Sequence, residues 1–137
     1  MKASYSRLFT DERGGSAIVD LELPLAVGFA VPPAEPLYTA PFLAPESTFW
    51  IGAPTNWKGD ANHPAPRRAI FVTVRGEYQV TTSDGGTRHF PAGSVLIVED
   101  TTGVGHSTTI TSDEHCYVFC VGLPALTAGG PLEMRDR

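Results

Sequence analysis

Residues 63–106 decide the fold of this chain, and they read HPAPRRAIFVTVRGEYQVTTSDGGTRHFPAGSVLIVEDTTGVGH. Residues 70–82 are rich in β-branched and aromatic side chains, and Asp84-Gly85 supplies the positive-φ residues of a tight hairpin. His63 precedes the first of these strands, and His106 follows a glycine-spaced turn after the last. The pattern therefore predicts that two distant histidines lie on neighbouring strands of one small barrel, a shape that encloses ligands.

The composition favours a single all-β domain. A length of 137 residues is an ordinary size for one domain. Fourteen glycines and twelve prolines fall between short apolar runs, where they act as turn residues, and no long helix is indicated.

The charge balance argues against a nucleic-acid partner. The formal net charge is −5, and the sequence contains no basic stripe that would follow a phosphate backbone. No apolar run approaches the roughly 20 residues that a membrane helix needs, and the first thirty residues carry too many acidic groups for a secretory leader. We therefore predict a cytoplasmic protein that has a small-molecule substrate and binds neither nucleic acid nor membrane.

Three regions are expected within this one domain. Residues 1–46 form a proline-rich arm with edge strands, residues 47–122 form the barrel core, and residues 123–137 form a C-terminal tail. Residues 54–66 are predicted to be a loop. The arm and an exposed sheet edge predict a homodimer.

The core resembles the cupin superfamily, whose members are double-stranded β-helix or jelly-roll barrels. The first cupin motif is similar to G-x5-H-x-H-x3-or-4-E-x6-G. Here His63 matches its opening histidine and Gly76 its closing glycine, while the second histidine and the glutamate fall on Ala65 and Ala69.

The second cupin motif is similar to G-x5-P-x-G-x2-H-x3-N and finds its glycine at Gly93 and its histidine at His106. The resemblance implies a metal such as Fe, Mn, Ni, Cu or Zn held by three histidines and a carboxylate. Two histidines alone make a poor site, so we expect no cofactor. The alternative is a divalent transition metal bound by His63 and His106 together with Asp60 or Glu99.

Strand alternation predicts which side chains face the barrel interior. If His63 points inward, then Arg67 does too, and its guanidinium would suit a carboxylate or an enolate. The alternative is that Arg67 pairs with Glu99 or Asp100 and serves only structure. The residues expected to contact substrate are Ala65, Ala69, Phe71, Thr73, Tyr78 and Trp57.

Histidine is suited to proton transfer because its ordinary pKa is about 6.5. We therefore predict His63, His106 and Arg67 as catalytic residues, with Asp100 or Asp60 fixing the tautomer of a histidine. His89 and His115 are expected on the solvent side.

The preferred function is proton-transfer chemistry on an enolisable carbonyl or carboxylate compound, giving isomerisation, cyclisation or elimination. The resemblance implies such work, since cupins of bacterial secondary metabolism often perform it. The alternatives are a metal-dependent cupin dioxygenase or other oxidoreductase, and a cupin that binds a small ligand without catalysis.

Overall fold

The computed structural model describes residues 1–29 and 33–125, and in these residues it contains strands and no helix. The all-β prediction is therefore confirmed. In the same residues no helix is long and apolar enough to cross a membrane. The strands are β1 Lys2–Thr10, β2 Ser16–Pro24, β3 Ala26–Phe29, β4 Leu37–Thr39, β5 Ser47–Ala53, β6 Lys58–His63, β7 Ala69–Arg75, β8 Glu77–Thr81, β9 Thr87–Pro91, β10 Val95–Val98, β11 His106–Ile110 and β12 Cys116–Gly122.

Strands β5 to β12 form a jelly-roll barrel of two facing sheets. One sheet has the order β2-β1-β10-β7-β12-β5, and the other has the order β6-β11-β8-β9. Successive strands from β5 onward alternate between the sheets, except that β8 and β9 form a hairpin within one of them. This strand order confirms the predicted double-stranded β-helix.

The N-terminal strands extend the larger sheet. β1 pairs with β10 in parallel, and β2 pairs with β1 along all nine residues. β3 and β4 form a separate two-stranded sheet in which Val27, Leu37 and Tyr38 are exposed. The predicted homodimer through this arm stays a prediction. Of the predicted tail over residues 123–137, residues 126–137 lie outside the described part of the chain.

The predicted loop over residues 54–66 is wrong in part, because β6 occupies Lys58–His63. β6 pairs antiparallel with β11, and this register places His63 directly opposite His106. The sequence of β6, KGDANH, has only one apolar side chain, so its strand conformation comes from pairing and not from a hydrophobic face.

The core fills the space between the two sheets. Leu8, Val80, Leu96 and both cysteines are almost fully buried there. Cys116 and Cys120 are free thiols, and burial raises the pKa of each, that of Cys120 to about 12. Both therefore stay protonated at neutral pH and act as small apolar side chains.

A close backbone approach at Gly105 joins β11 to the end of β6. Gly105 has φ +76°, and a Cβ atom at this position would lie 2.0 Å from the carbonyl oxygen of His63. Only glycine combines this conformation with this distance. The two histidines are thus brought together by backbone contact as well as by strand pairing.

We expect Gly105→Ala to destabilise the fold by about 3 kcal/mol or more, because it adds a backbone clash to left-handed strain. Gly85→Ala is the matched control, since Gly85 has φ +90° and open space around its Cβ position. The control should lose only about 1 kcal/mol. Urea unfolding measures both, and equal losses would contradict a steric role for the Gly105 approach.

A buried ion-pair network ties β1 to the connections that flank β7 and β10. Glu99 accepts hydrogen bonds from the Nε atoms of Arg7 and Arg68, the latter at 3.1 Å. The side chains of Glu99 and Arg68 are 1% and 3% exposed. Such a network is costly to break from one side, because the remaining charge stays buried.

We expect Arg68→Met to lower the free energy of unfolding by about 3 kcal/mol, since it leaves the Glu99 carboxylate under-compensated. The neighbouring Arg67→Met is the control, because Arg67 is 40% exposed and its ion pair with Glu46 is long, at 3.4 Å. That change should cost less than about 1 kcal/mol. Chemical denaturation measures the free energy of unfolding of both variants. Equal losses of stability would contradict a special role for the buried Arg68–Glu99 pair.

Candidate functional site

A cavity of about 420 Å³ lies between the two sheets and opens beside β5 and β6. Its walls are mostly apolar, and the polar or charged side chains among them are few: His63, Arg67, Tyr78, His106 and Thr108. The apolar walls include Leu8, Phe49, Ile51, Phe71, Val80, Leu96, Val98, Ile110 and Val118. An enclosed apolar space with a few convergent polar groups is the usual form of a small-molecule site.

The two predicted histidines meet at one end of this cavity. Their ring centroids are 5.4 Å apart, with the planes tilted by 46°. His106 is 7% exposed, whereas His63 is exposed at the opening. The pair therefore presents one buried and one solvent-accessible imidazole to the same space.

His106 is held by a buried carboxylate. Its Nδ1 lies 2.5 Å from Oδ2 of Asp100, whose side chain is fully buried. A carboxylate only accepts hydrogen bonds, so Nδ1–H of His106 is the donor. In the neutral ring this leaves the lone pair on Nε2, which is the arrangement that a general base requires.

His63 has a corresponding contact with the main chain. Its Nδ1 lies 2.9 Å from the carbonyl oxygen of Pro64, so Nδ1–H again donates. Both neutral rings therefore keep their basic atom at Nε2. Pro64 holds His63 through a neutral carbonyl, whereas Asp100 holds His106 through a negatively charged carboxylate.

Most of the predicted substrate-contacting residues lie on the cavity wall. Ala65, Ala69, Phe71, Tyr78 and Trp57 all line it. Thr73 does not, because its hydroxyl is buried against β9 and donates to the carbonyl oxygen of Phe90 at 3.4 Å.

β8 and β11 pair over four residues, and Tyr78 lies at the end of this pairing that is farther from His106. It stacks on Phe90 with centroids 5.1 Å apart, and it pairs with Ile110. Burial strongly raises the pKa of Tyr78. The hydroxyl is therefore a buried neutral group on the cavity wall.

Arg67 lines the cavity but lies at its opening, so the expectation of an enclosed arginine is corrected. Its guanidinium lies 5.5 Å from the Phe49 ring and contacts Glu46 at 3.4 Å. The alternative pairing with Glu99 or Asp100 is also wrong, because those carboxylates bind Arg68 and His106. Arg67 is thus on the side of the chain that faces the cavity, as strand alternation predicts, but it lies at the edge of the cavity wall.

The tentative metal set does not assemble. Within residues 1–29 and 33–125, no three His, Cys, Asp or Glu side chains are grouped to hold an ion. Glu99 is bound by two arginines, and Asp60 is exposed without joining the histidine pair in such a group. The residues present do not fit the three-histidine and carboxylate set that the cupin resemblance implies.

The other two histidines are exposed, as predicted. Nδ1 of His89 lies 3.5 Å from Glu77. Nδ1 of His115 accepts a hydrogen bond from the Thr55 amide at 2.9 Å, which ties the connection between β5 and β6 to the last core strand. Neither lines the cavity.

Several cavity residues were not anticipated from the sequence. Phe49 and Ile51 alternate along β5, and Thr108 lies two residues after His106, so period-two alternation would have identified them. Leu8 of β1 had no such signal, because its contribution depends on the parallel pairing with β10. Cys116 lines the cavity as well.

No protein-family model matches the chain, and no curated protein matches it either. The solved structures that resemble it include three described below. A Cupin 2 conserved barrel domain protein from Salinispora arenicola is 19% identical, with 74% of this chain and 82% of that chain covered and a TM-score of 0.45.

The second, a protein from Neisseria meningitidis, is 14% identical over 63% of this chain and 89% of its own, with a TM-score of 0.44. The third, a cupin domain from Schizosaccharomyces pombe, is 16% identical over 89% and 83%, with a TM-score of 0.46. At these identities and TM-scores, the likenesses carry no argument about function. By its own strand order, the chain is a small cupin-fold protein.

Proposed function

We propose that the protein catalyses proton transfer on a small, largely apolar compound with an enolisable carbonyl group. The observation that carries this proposal is the buried pair of His106 and Asp100, which faces an apolar cavity of about 420 Å³. The pair supplies an oriented base, and the cavity supplies room for a compact organic molecule.

His106 is assigned as the base. Its Nε2 takes a proton from the carbon next to the carbonyl, and the electron pair of that C–H bond forms the C=C bond of an enolate. Asp100 stabilises the imidazolium that results, because its negative charge lies 2.5 Å from Nδ1. Return of the proton to another carbon completes an isomerisation, and loss of a leaving group at the next carbon completes an elimination.

His63 is assigned as the partner of the enolate oxygen. Its ring lies 5.4 Å from that of His106, so both can contact one carbonyl and its neighbouring carbon. When protonated, His63 donates from Nε2 to the developing oxyanion. Since His63 is exposed at the opening, it can also exchange protons with solvent.

The dioxygenase alternative receives no support, because the described residues do not group three metal-ligating side chains. Experiment can distinguish the non-catalytic alternative, because a protein that only binds the ligand would not accelerate exchange of its C–H protons with solvent. We also propose that the protein is a homodimer and carries out this reaction without a cofactor.

Deuterium exchange in D₂O tests the reaction with 2-tetralone, an apolar bicyclic ketone. We expect the protein to accelerate deuterium entry at the carbon next to the carbonyl, as followed by ¹H NMR. His106→Gln should lose about 100-fold or more of this rate. Asp100→Asn should lose at least about 10-fold, because the amide can favour the wrong tautomer.

His89→Gln is the matched control and should exchange like the wild type, since His89 is exposed and lies outside the cavity wall. Circular dichroism checks that each variant is folded. If His106→Gln does not fold, His63→Gln tests the second histidine of the pair instead. The proposal fails if wild-type protein binds 2-tetralone, as reported by tryptophan fluorescence, yet exchanges it no faster than buffer.

A further inference from the structure

A second pocket, of about 370 Å³, lies beside the opening of the barrel cavity. It shares Pro66 and Arg67 with the barrel cavity, so the two spaces meet at one wall. We call it the arginine pocket. The side chains that matter here are those of Glu46, Arg67, Arg68, Thr101 and Leu123.

Two guanidinium groups of this pocket have buried N–H groups without acceptors. Nε of Arg67 and Nη2 of Arg68 are both inaccessible and unpartnered within the described part of the chain. Arg68 is otherwise well bound, through Nε to Glu99 and through Nη1 to the carbonyl oxygen of Pro124 at 3.2 Å. Since buried donors are nearly always paired, these two indicate a missing acceptor.

The local charges leave room for one anion. Among the described residues, the three guanidiniums of Arg7, Arg67 and Arg68 are matched by two carboxylates, those of Glu99 and Glu46. Glu99 is shared between Arg7 and Arg68. Glu46 faces Arg67 at 3.4 Å with its side chain 58% exposed, so it is a weak and displaceable partner.

We propose that the arginine pocket binds the carboxylate of a ligand whose apolar body lies in the barrel cavity. The carboxylate replaces Glu46 at Arg67, and Thr101 lines the same pocket. This inference rests on the proposed function only in that the same ligand presents its carbonyl to His106. The substrate class is therefore an apolar keto acid.

Calorimetric binding of 4-oxo-4-phenylbutanoate and of its methyl ester tests the inference. We expect the acid to bind at least about 10-fold more tightly than the ester, which corresponds to one charge-assisted contact. Arg67→Gln should remove that preference, and Arg67→Lys should keep part of it. Glu46→Gln should strengthen binding of the acid, because it removes a competing carboxylate.

Arg88→Gln is the control for a general loss of positive charge, since Arg88 pairs with Asp20 away from both spaces. Inorganic phosphate serves as the second probe. If phosphate competes with the acid but not with the ester, the carboxylate of the acid occupies the arginine pocket as inferred. Equal binding of acid and ester, or an acid preference that survives Arg67→Gln, would overturn the inference.

The two proposals fail separately. Arg67-dependent binding of the acid without deuterium exchange of either ketone would leave the arginine pocket standing and remove the reaction. Deuterium exchange of 2-tetralone without any preference for binding the acid over the ester would support the reaction and overturn the arginine pocket.

Discussion

The meeting of β6 and β11 is the constraint on which the site depends. Gly105 can lie against the carbonyl of His63 because it has no side chain, and the strand register then sets His63 opposite His106. Asp100, six residues before His106, completes the arrangement from the far side of the same turn. A short glycine-containing connection thus controls both the distance between the imidazoles and the carboxylate that orients one of them.

In two pairs of adjacent residues, one side chain stabilises the fold and the other belongs to the candidate site. In Glu99-Asp100, Glu99 joins the buried arginine network and Asp100 holds His106. In Arg67-Arg68, Arg68 binds Glu99 and Arg67 reaches the cavity opening. In each pair, one side chain therefore belongs to the buried ion-pair network and its neighbour belongs to the candidate site.

The sequence predicted the barrel and the approach of the two histidines because both follow from local patterns. Alternation places Ala65, Ala69 and Phe71 on the cavity wall, and the structure has them there. The same reasoning could not find β6, whose pairing compensates for a polar sequence, or the position of Leu8. It also could not separate Arg67 from Arg68, since their partners lie on elements distant in the chain.

The two alanines give the cavity an adjustable volume. Ala65 and Ala69 are buried and line the cavity. Exchanging their methyl groups for longer side chains would shrink the cavity and leave the side chains of Asp100 and His106 in the sequence. Single substitutions at these two positions can therefore change the size of the cavity in descendants of this barrel, while the pair of His106 and Asp100 is inherited intact.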